Sequence, residues 1–317
     1  MSARPPVWLL TDAAMDAHAA PGHPEGPSRR AAVVAGVRDA AGAALAEPAV
    51  LPATDAQITA VHDSSLVAML EQADADGAAW LDPDTYVVGG SWEAARLAAG
   101  ATVQAARAVA AGEAEIAFAA VRPPGHHASA AGASGFCLLN NVAVAVAALR
   151  AEGAVTRVAI VDWDVHHGDG TQAIFDADPD LCYASTHQWP LFPGTGLVEE
   201  AGDGRAVGTK HNRPLRPGAG DEEFVRAWLD DLLPAIEAFE PQAILVSAGY
   251  DAHRSDPLAN LAVTDAGFAT VARALGVVSR RLGLPGVALT LEGGYDLDAL
   301  RASAATTVRE LLDGRGG

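Results

Sequence analysis

The run Asp162-Trp163-Asp164-Val165-His166-His167-Gly168-Asp169-Gly170 sets carboxylates and imidazoles two residues apart, directly after an apolar stretch. In extended backbone, side chains at i and i+2 point the same way, so Asp164 and His166 can reach one metal ion. A carboxylate with an imidazole suits Zn²⁺ or Fe²⁺. Asp162 shares that parity and can support the same site from behind or hold a separate cation. The plain alternative is a charged turn around a buried histidine. Three further runs carry chemistry-bearing side chains: His126-His127 after Arg122-Pro123-Pro124-Gly125, two acids in Asp251-Ala252-His253-Arg254-Ser255-Asp256-Pro257-Leu258, and Glu292-Gly293-Gly294-Tyr295. Prolines fix φ and glycines let backbone approach a ligand closely, so the loops carrying these groups hold a set geometry. Taken singly, each run also has a bland explanation: surface histidines, a solvated acidic loop, a glycine turn with a packing tyrosine.

What raises all four is their place along the chain. Each follows a short continuous apolar run: Ile116–Val121, Val158–Val161, Ala243–Ser247 and Val287–Leu291. A fifth run, Leu181–Ala184, leads to Ser185-Thr186-His187. Runs of this kind suit strands buried on both faces of a parallel sheet. Helical segments alternate with them: Ser91–Ala111, with Ser91 as a candidate cap; Asn140–Glu152, capped by Asn140 and stopped at Gly153; Asp221–Phe239, kinked at Pro234; Thr264–Leu282; and Asp298–Leu312. Strands alternating with helices imply βαβ units. In open α/β sheets ligands bind beyond the carboxyl ends of the strands, so groups distant in sequence converge in one crevice. The stretch from Pro193 to Gly220, rich in Gly, Pro and Arg, reads as a long loop inside one domain spanning residues 1–317.

Composition narrows the class. Of 317 residues half are apolar, which supplies a large core and excludes a disordered tail protein. A net charge of −19 argues against a nucleic-acid partner, since phosphates need a basic face. A single lysine, Lys210, stands against 20 arginines, which matches a compositional bias toward Arg and Ala. Cys137 and Cys182 sit in apolar surroundings and read as buried free thiols of a reducing compartment. Val7–Leu10 is too short for a signal-peptide core, and no apolar run approaches the ~18 residues of a membrane span. A cytoplasmic protein is expected, with no membrane partner; a homo-oligomer is compatible with the sequence. Neither a Gly-x-Ser-x-Gly elbow nor a Gly-x-Gly-x-x-Gly turn after a strand is present, which disfavours serine hydrolases and dinucleotide enzymes.

Together the blocks Arg122–Ala128, Gly135-Phe136-Cys137-Leu138-Leu139-Asn140-Asn141, Asp162–Gly170, Phe192-Pro193-Gly194-Thr195-Gly196, Asp251–Leu258 and Leu291–Tyr295 resemble the signature blocks of the histone deacetylase superfamily, in the family's order. His23-Pro24-Glu25-Gly26-Pro27-Ser28-Arg29 is similar to the N-terminal block of its class II and bacterial amidohydrolase branches, with Gly26 where Arg is common. The resemblance implies the arginase–deacetylase α/β fold, with an eight-stranded parallel sheet. It implies Asp164, His166 and Asp256 as ligands of a catalytic Zn²⁺, with Fe²⁺ as the alternative. It makes His127 the general base and then acid, His126 mainly electrostatic, and Asp162 and Asp169 the carboxylates paired with His126 and His127. It gives Tyr295 the role of oxyanion donor. It implies that Gly135, Phe136, Phe192 and Leu258 line the substrate channel. The resemblance also implies a structural K⁺ held around Asp162, Asp164, His166, Ser185 and Thr186. The activity implied is removal of acetyl or another short acyl group from acetyl-lysine or a related alkylamine, acetylated polyamines included. The rival readings are an arginase-like ureohydrolase, which would want an Asp where His167 stands, and a non-catalytic binding protein, which would be expected to lack a ligand or the tyrosine.

Overall fold

The computed structural model describes residues 7–316. Its strands are β1 (Val7–Leu10), β2 (Leu45–Ala46), β3 (Ala78–Trp80), β4 (Tyr86–Val88), β5 (Ile116–Ala119), β6 (Val158–Asp162), β7 (Leu181–Gln188), β8 (Lys210–Leu215), β9 (Ala243–Ala248) and β10 (Val287–Leu291). Eight of them form one parallel sheet in the order β2-β1-β5-β10-β9-β6-β7-β8, while β3 and β4 make a small antiparallel hairpin beside it. Every residue of β5, β6, β9 and β10 is buried, which is why these strands read as unbroken apolar runs. The sheet is flanked by helices, and the α/β class and parallel sheet expected from sequence are what the structure has.

The order puts β5, β10, β9 and β6 side by side at the centre. Their registers align Thr290 with Ala119, Leu291 with Ala248, and Asp162 with Ser247, so four chemistry-bearing loops leave the sheet at one edge. Two expectations change. The stretch read as a continuous loop contains β8, an edge strand in which buried Lys210, Asn212 and Leu215 alternate with half-buried neighbours. The cap of the helix Ser91–Ala110 is Gly90, in a left-handed conformation; Ser91 instead accepts the Val88 N–H and meets Nδ1 of His18. The kink in Asp221–Phe239 takes the form of a π-helical segment, Ala227–Leu232, just before Pro234. Asn140 caps its helix through the Ala143 N–H. Cys137 and Cys182 are free and buried. No helix among the described residues is long and apolar enough to cross a membrane.

Candidate active site

Asp164 and His166 lie just past the end of β6, where the chain bends, and yet converge. Oδ1 of Asp164 accepts the His166 N–H at 2.8 Å, and Nδ1 of His166 stands 3.2 Å from that same oxygen. The third member is Asp251, three residues beyond β9: its Oδ2 is 3.2 Å from Nδ1 of His166. One ring nitrogen cannot serve both carboxylates, and Oδ2 of Asp251, although buried, takes no hydrogen bond. The other oxygens are occupied, Asp251 Oδ1 by the Val165 N–H and Asp164 Oδ2 by the Gly293 N–H. Burial disfavours charge on all three groups. Even so, the flanking carboxylates carry His166 up to about 10, and the nearby Asp164 charge adds to burial in raising Asp251.

Beside the ligand set read from sequence, the geometry offers a further carboxylate. Asp164, His166 and Asp251 each point one ligand atom at a common centre. Asp256 lies outside that cluster: its two oxygens accept the Leu258 N–H at 3.0 Å and the Tyr295 N–H at 2.7 Å, which braces the tyrosine loop and, as for Asp164, leaves each oxygen a further lone pair for a metal. The cluster suits a divalent ion. Two carboxylates and an imidazole are borderline-hard donors, and separations of 3.2 Å are slightly under the about 3.3–3.6 Å between neighbouring ligands that each sit about 2.0–2.2 Å from one tetrahedral ion. Two glycines keep the space open, since a Cβ on Gly249 would run into the Asp164 carboxylate and one on Gly293 into that of Asp251.

His126 and His127 flank this cluster, each held by a carboxylate: Nδ1 of His126 is 3.1 Å from Asp162 Oδ2, and Nδ1 of His127 is 2.7 Å from Asp169 Oδ1. The pairs have opposite character. Burial works against a charge on His126, but Asp164 and Asp162 hold its pKa well above the usual imidazole range. Burial and the His126 charge push His127 down to about 3, the Asp169 bond notwithstanding. A carboxylate that accepts the Nδ1–H fixes the tautomer and leaves the other ring nitrogen able to accept a proton.

A cavity of about 240 Å³ opens above these groups, lined by His126, His127, Gly135, Phe136, Phe192, Leu258 and Tyr295, with Asp84 at its rim. Gly135 and Phe136 both adopt positive φ, at 55° and 69°. A Cβ at Gly135 would strike the His127 ring, so glycine is required there. Phe136 is held in a conformation that costs a non-glycine residue of order 1 kcal/mol or more. Its N–H bonds Thr85 Oγ1, and its ring meets His23 edge-on at 4.6 Å and Tyr295 at 5.9 Å.

Sequence reasoning missed the supports. Glu292, fully buried, accepts the N–H groups of Gly125 and His126 on one oxygen and the Ser247 hydroxyl on the other, tying the histidine loop to β9 and β10. Arg29 donates to the carbonyls of Glu292 and Gly294 and to Glu25, and its guanidinium lies 4.7 Å from the centre of the Tyr295 ring. Arg122 closes the network onto Glu25. The only sequence signal was that these residues fall inside the quoted blocks; apart from the Arg29–Glu25 pair, their contacts join segments 45 to 265 residues apart. Of the residues expected around a structural cation, Asp162 and Ser185 are register partners on β6 and β7. The Ser185 hydroxyl meets His187 Nδ1, and Thr186 Oγ1 accepts the Trp228 indole N–H.

A buried three-ligand centre, paired histidines and a tyrosine at the carboxyl edge of an eight-stranded parallel sheet define a hydrolase-type site of the deacetylase fold class. Residues 23–311 match the family model of the histone deacetylase domain. The chain is 40% identical to a probable deacetylase of Archaeoglobus fulgidus over 283 residues, 88% of this chain and 78% of the relative. It is 38% identical to a histone deacetylase-like amidohydrolase of Pseudomonas aeruginosa over 280 residues, 87% of this chain and 73% of that one. The crystal structure of the HDA15 HD domain superposes with a TM-score of 0.92 at 36% identity, covering 98% of this chain and 89% of that chain. The chain belongs to the histone deacetylase family, whose members are generally metal-dependent amide hydrolases.

Proposed function

We propose that this protein removes acetyl, or another short acyl group, from the amine of acetyl-lysine or a related alkylamine. The observation that carries the reading is one juxtaposition: two Asp-held histidines of opposite character beside the Asp164–His166–Asp251 centre, at the floor of a cavity walled by Phe136 and Phe192. Amide hydrolysis needs an activated water, a stabiliser for the oxyanion and a proton for a poor leaving group. A divalent ion held by Asp164 and His166 with a third carboxylate, Asp256 by the resemblance or Asp251 by the geometry, Zn²⁺ in this reading with Fe²⁺ as the alternative, supplies Lewis acidity and a lowered water pKa when bound. His127, neutral and oriented by Asp169, takes the proton of the attacking water and returns it to the leaving amine. His126, kept cationic by Asp162 and Asp164, offsets the negative charge that develops. The Tyr295 hydroxyl donates to the substrate carbonyl oxygen and holds it as an oxyanion. A structural K⁺ near Asp162, Asp164, His166, Ser185 and Thr186 belongs to the same reading, supported by the Asp162–Ser185 register.

Leu258 favours lysine-type amides over acetylpolyamines, because it puts an apolar side chain on the channel wall where an acid would draw a distant ammonium. The test is a panel of acetyl-lysine amides and acetylspermidine given to the metal-loaded protein, with acetate and free amine quantified. Turnover of acetyl-lysine amides, lost in His127→Ala with metal content unchanged, is expected. No acetate from any amide, or undiminished turnover in His127→Ala, overturns the reading.

A further inference from the structure

The chain uses arginine wherever an ordinary cation is needed, 20 times, and lysine once. That one lysine is not on the surface. Lys210, at the start of β8, is only 2% exposed. Its ammonium donates to Thr209 Oγ1 at 2.7 Å, to the Leu181 carbonyl at 2.9 Å and to the Asp178 carbonyl at 3.2 Å. Among the described residues it forms no ion pair; the carboxylate of nearby Asp178 is engaged by Arg150. A buried ammonium whose direct hydrogen-bond partners are all neutral oxygens, with the Asp178 and Asp176 carboxylates acting only from farther off, is unusual, because burial of a charge is normally offset by a paired counter-charge. Burial accordingly lowers the lysine to about 8. Lysine is required here for a geometric reason. Its ammonium is a compact point charge with three rotatable donors, whereas guanidinium is a planar fork that cannot address three converging oxygens.

Converging carbonyl and hydroxyl oxygens are the ligands that replace the hydration shell of a monovalent cation. We infer that the Lys210 ammonium is a built-in monovalent cation, and that its oxygen cage, once emptied, takes free K⁺ or a small alkylammonium ion. The cage has a mechanical role. Asp178 lies in the turn after the helix Asp169–Phe175, Leu181 begins β7, and Thr209 precedes β8. The ammonium therefore pins the trailing end of the helix whose first residue, Asp169, orients His127.

Thermal melts of the metal-loaded protein test this, with wild type, Lys210→Met, Lys210→Arg and Lys210→Ala compared in KCl, methylammonium chloride and tetramethylammonium chloride at equal ionic strength. Monovalent binding elsewhere shifts all four proteins alike, so the readout is the difference from wild type. Lys210→Met and Lys210→Arg should each melt about 5 °C or more below wild type. Lys210→Ala should recover at least half of its loss in K⁺ or methylammonium but not in tetramethylammonium, which is too large for the cage. A Met or Arg variant as stable as wild type overturns the inference, as does an Ala variant that responds identically to the three salts. Should the variants not fold, wild type decides. With ε-¹⁵N-lysine the single side chain gives one resonance, expected as a slowly exchanging NH₃⁺ signal at pH 6.5 and 25 °C. Loss of that signal to solvent exchange overturns the inference.

Discussion

Replacing Asp251 with Asn, and separately Asp256 with Asn, distinguishes the ligand set the geometry favours from the one the sequence suggested. Asn at 251 keeps the shape and can still accept the Val165 N–H through one oxygen, so the loop after β9 is retained. What is lost is the charge at the position of Oδ2, the atom without a hydrogen bond beside His166. Removing one partner from a buried set of charges costs about 3–5 kcal/mol, and each 1.4 kcal/mol is a factor of ten. The dissociation constant for Zn²⁺ should therefore rise by about two to three orders of magnitude. Asp256→Asn loses one of two backbone contacts, to Leu258 or Tyr295, at a position outside the ligand cluster. Outer supports of metal sites are worth about 10–100-fold, so its effect should stay at the low end of that range. Competition against a chromophoric chelator, followed by metal analysis of the dialysed proteins, reads both. An Asp256→Asn protein that loses Zn²⁺ while Asp251→Asn retains it would refute the assignment.

Tyr295→Phe should keep fold and metal but lower kcat about 10²-fold or more, with KM little changed, because the hydroxyl bond strengthens in the transition state; an unchanged kcat would mean that the ring only packs against Phe136 and Arg29. Leu258→Glu should move the kcat/KM ratio toward acetylpolyamines by about 1 kcal/mol, read from paired assays on acetyl-lysine amide and acetylspermidine; an unmoved ratio removes Leu258 from specificity. Glu292→Ala should destabilise the protein by about 3 kcal/mol in urea melts, as it strands the N–H groups of Gly125 and His126 and the Ser247 hydroxyl. Glu292→Gln should lose less than half of that, since one amide oxygen can still serve both N–H groups while its NH₂ faces Ser247.

The central strands were legible because both of their faces are buried and their polar positions, Asp162, Ser247 and Thr290, fall only at or next to their carboxyl ends. β8 was not, since an edge strand reading Lys210-His211-Asn212-Arg213-Pro214-Leu215 lacks both the apolar run and a clear alternation of types. Within the site, the histidine–carboxylate pairs and the channel walls followed from the motif blocks. The placement of Asp251 beside His166 did not. Both acids lie in one eight-residue run, and two-residue parity applies only to extended backbone, which ends at Ala248. Proximity to the strand end is what brings Asp251 to the centre, and that depends on where β9 stops. Arg29, Glu25, Arg122 and Glu292 escaped notice for another reason: their purpose lies in contacts between segments that no local spacing encodes.

The order of the sheet has a consequence for how the molecule behaves in a crowd of its own copies. A parallel sheet of eight strands would be a ready template for another chain if its outer strands were long and regular. At one end β2 is two residues long, too short to nucleate pairing. At the other, β8 carries Pro214, which has no N–H to offer, between Arg213 and Leu215. Among the described residues neither margin presents a long regular ladder, which disfavours growth of the sheet edge to edge into aggregates and keeps the apolar strands of its centre away from its margins.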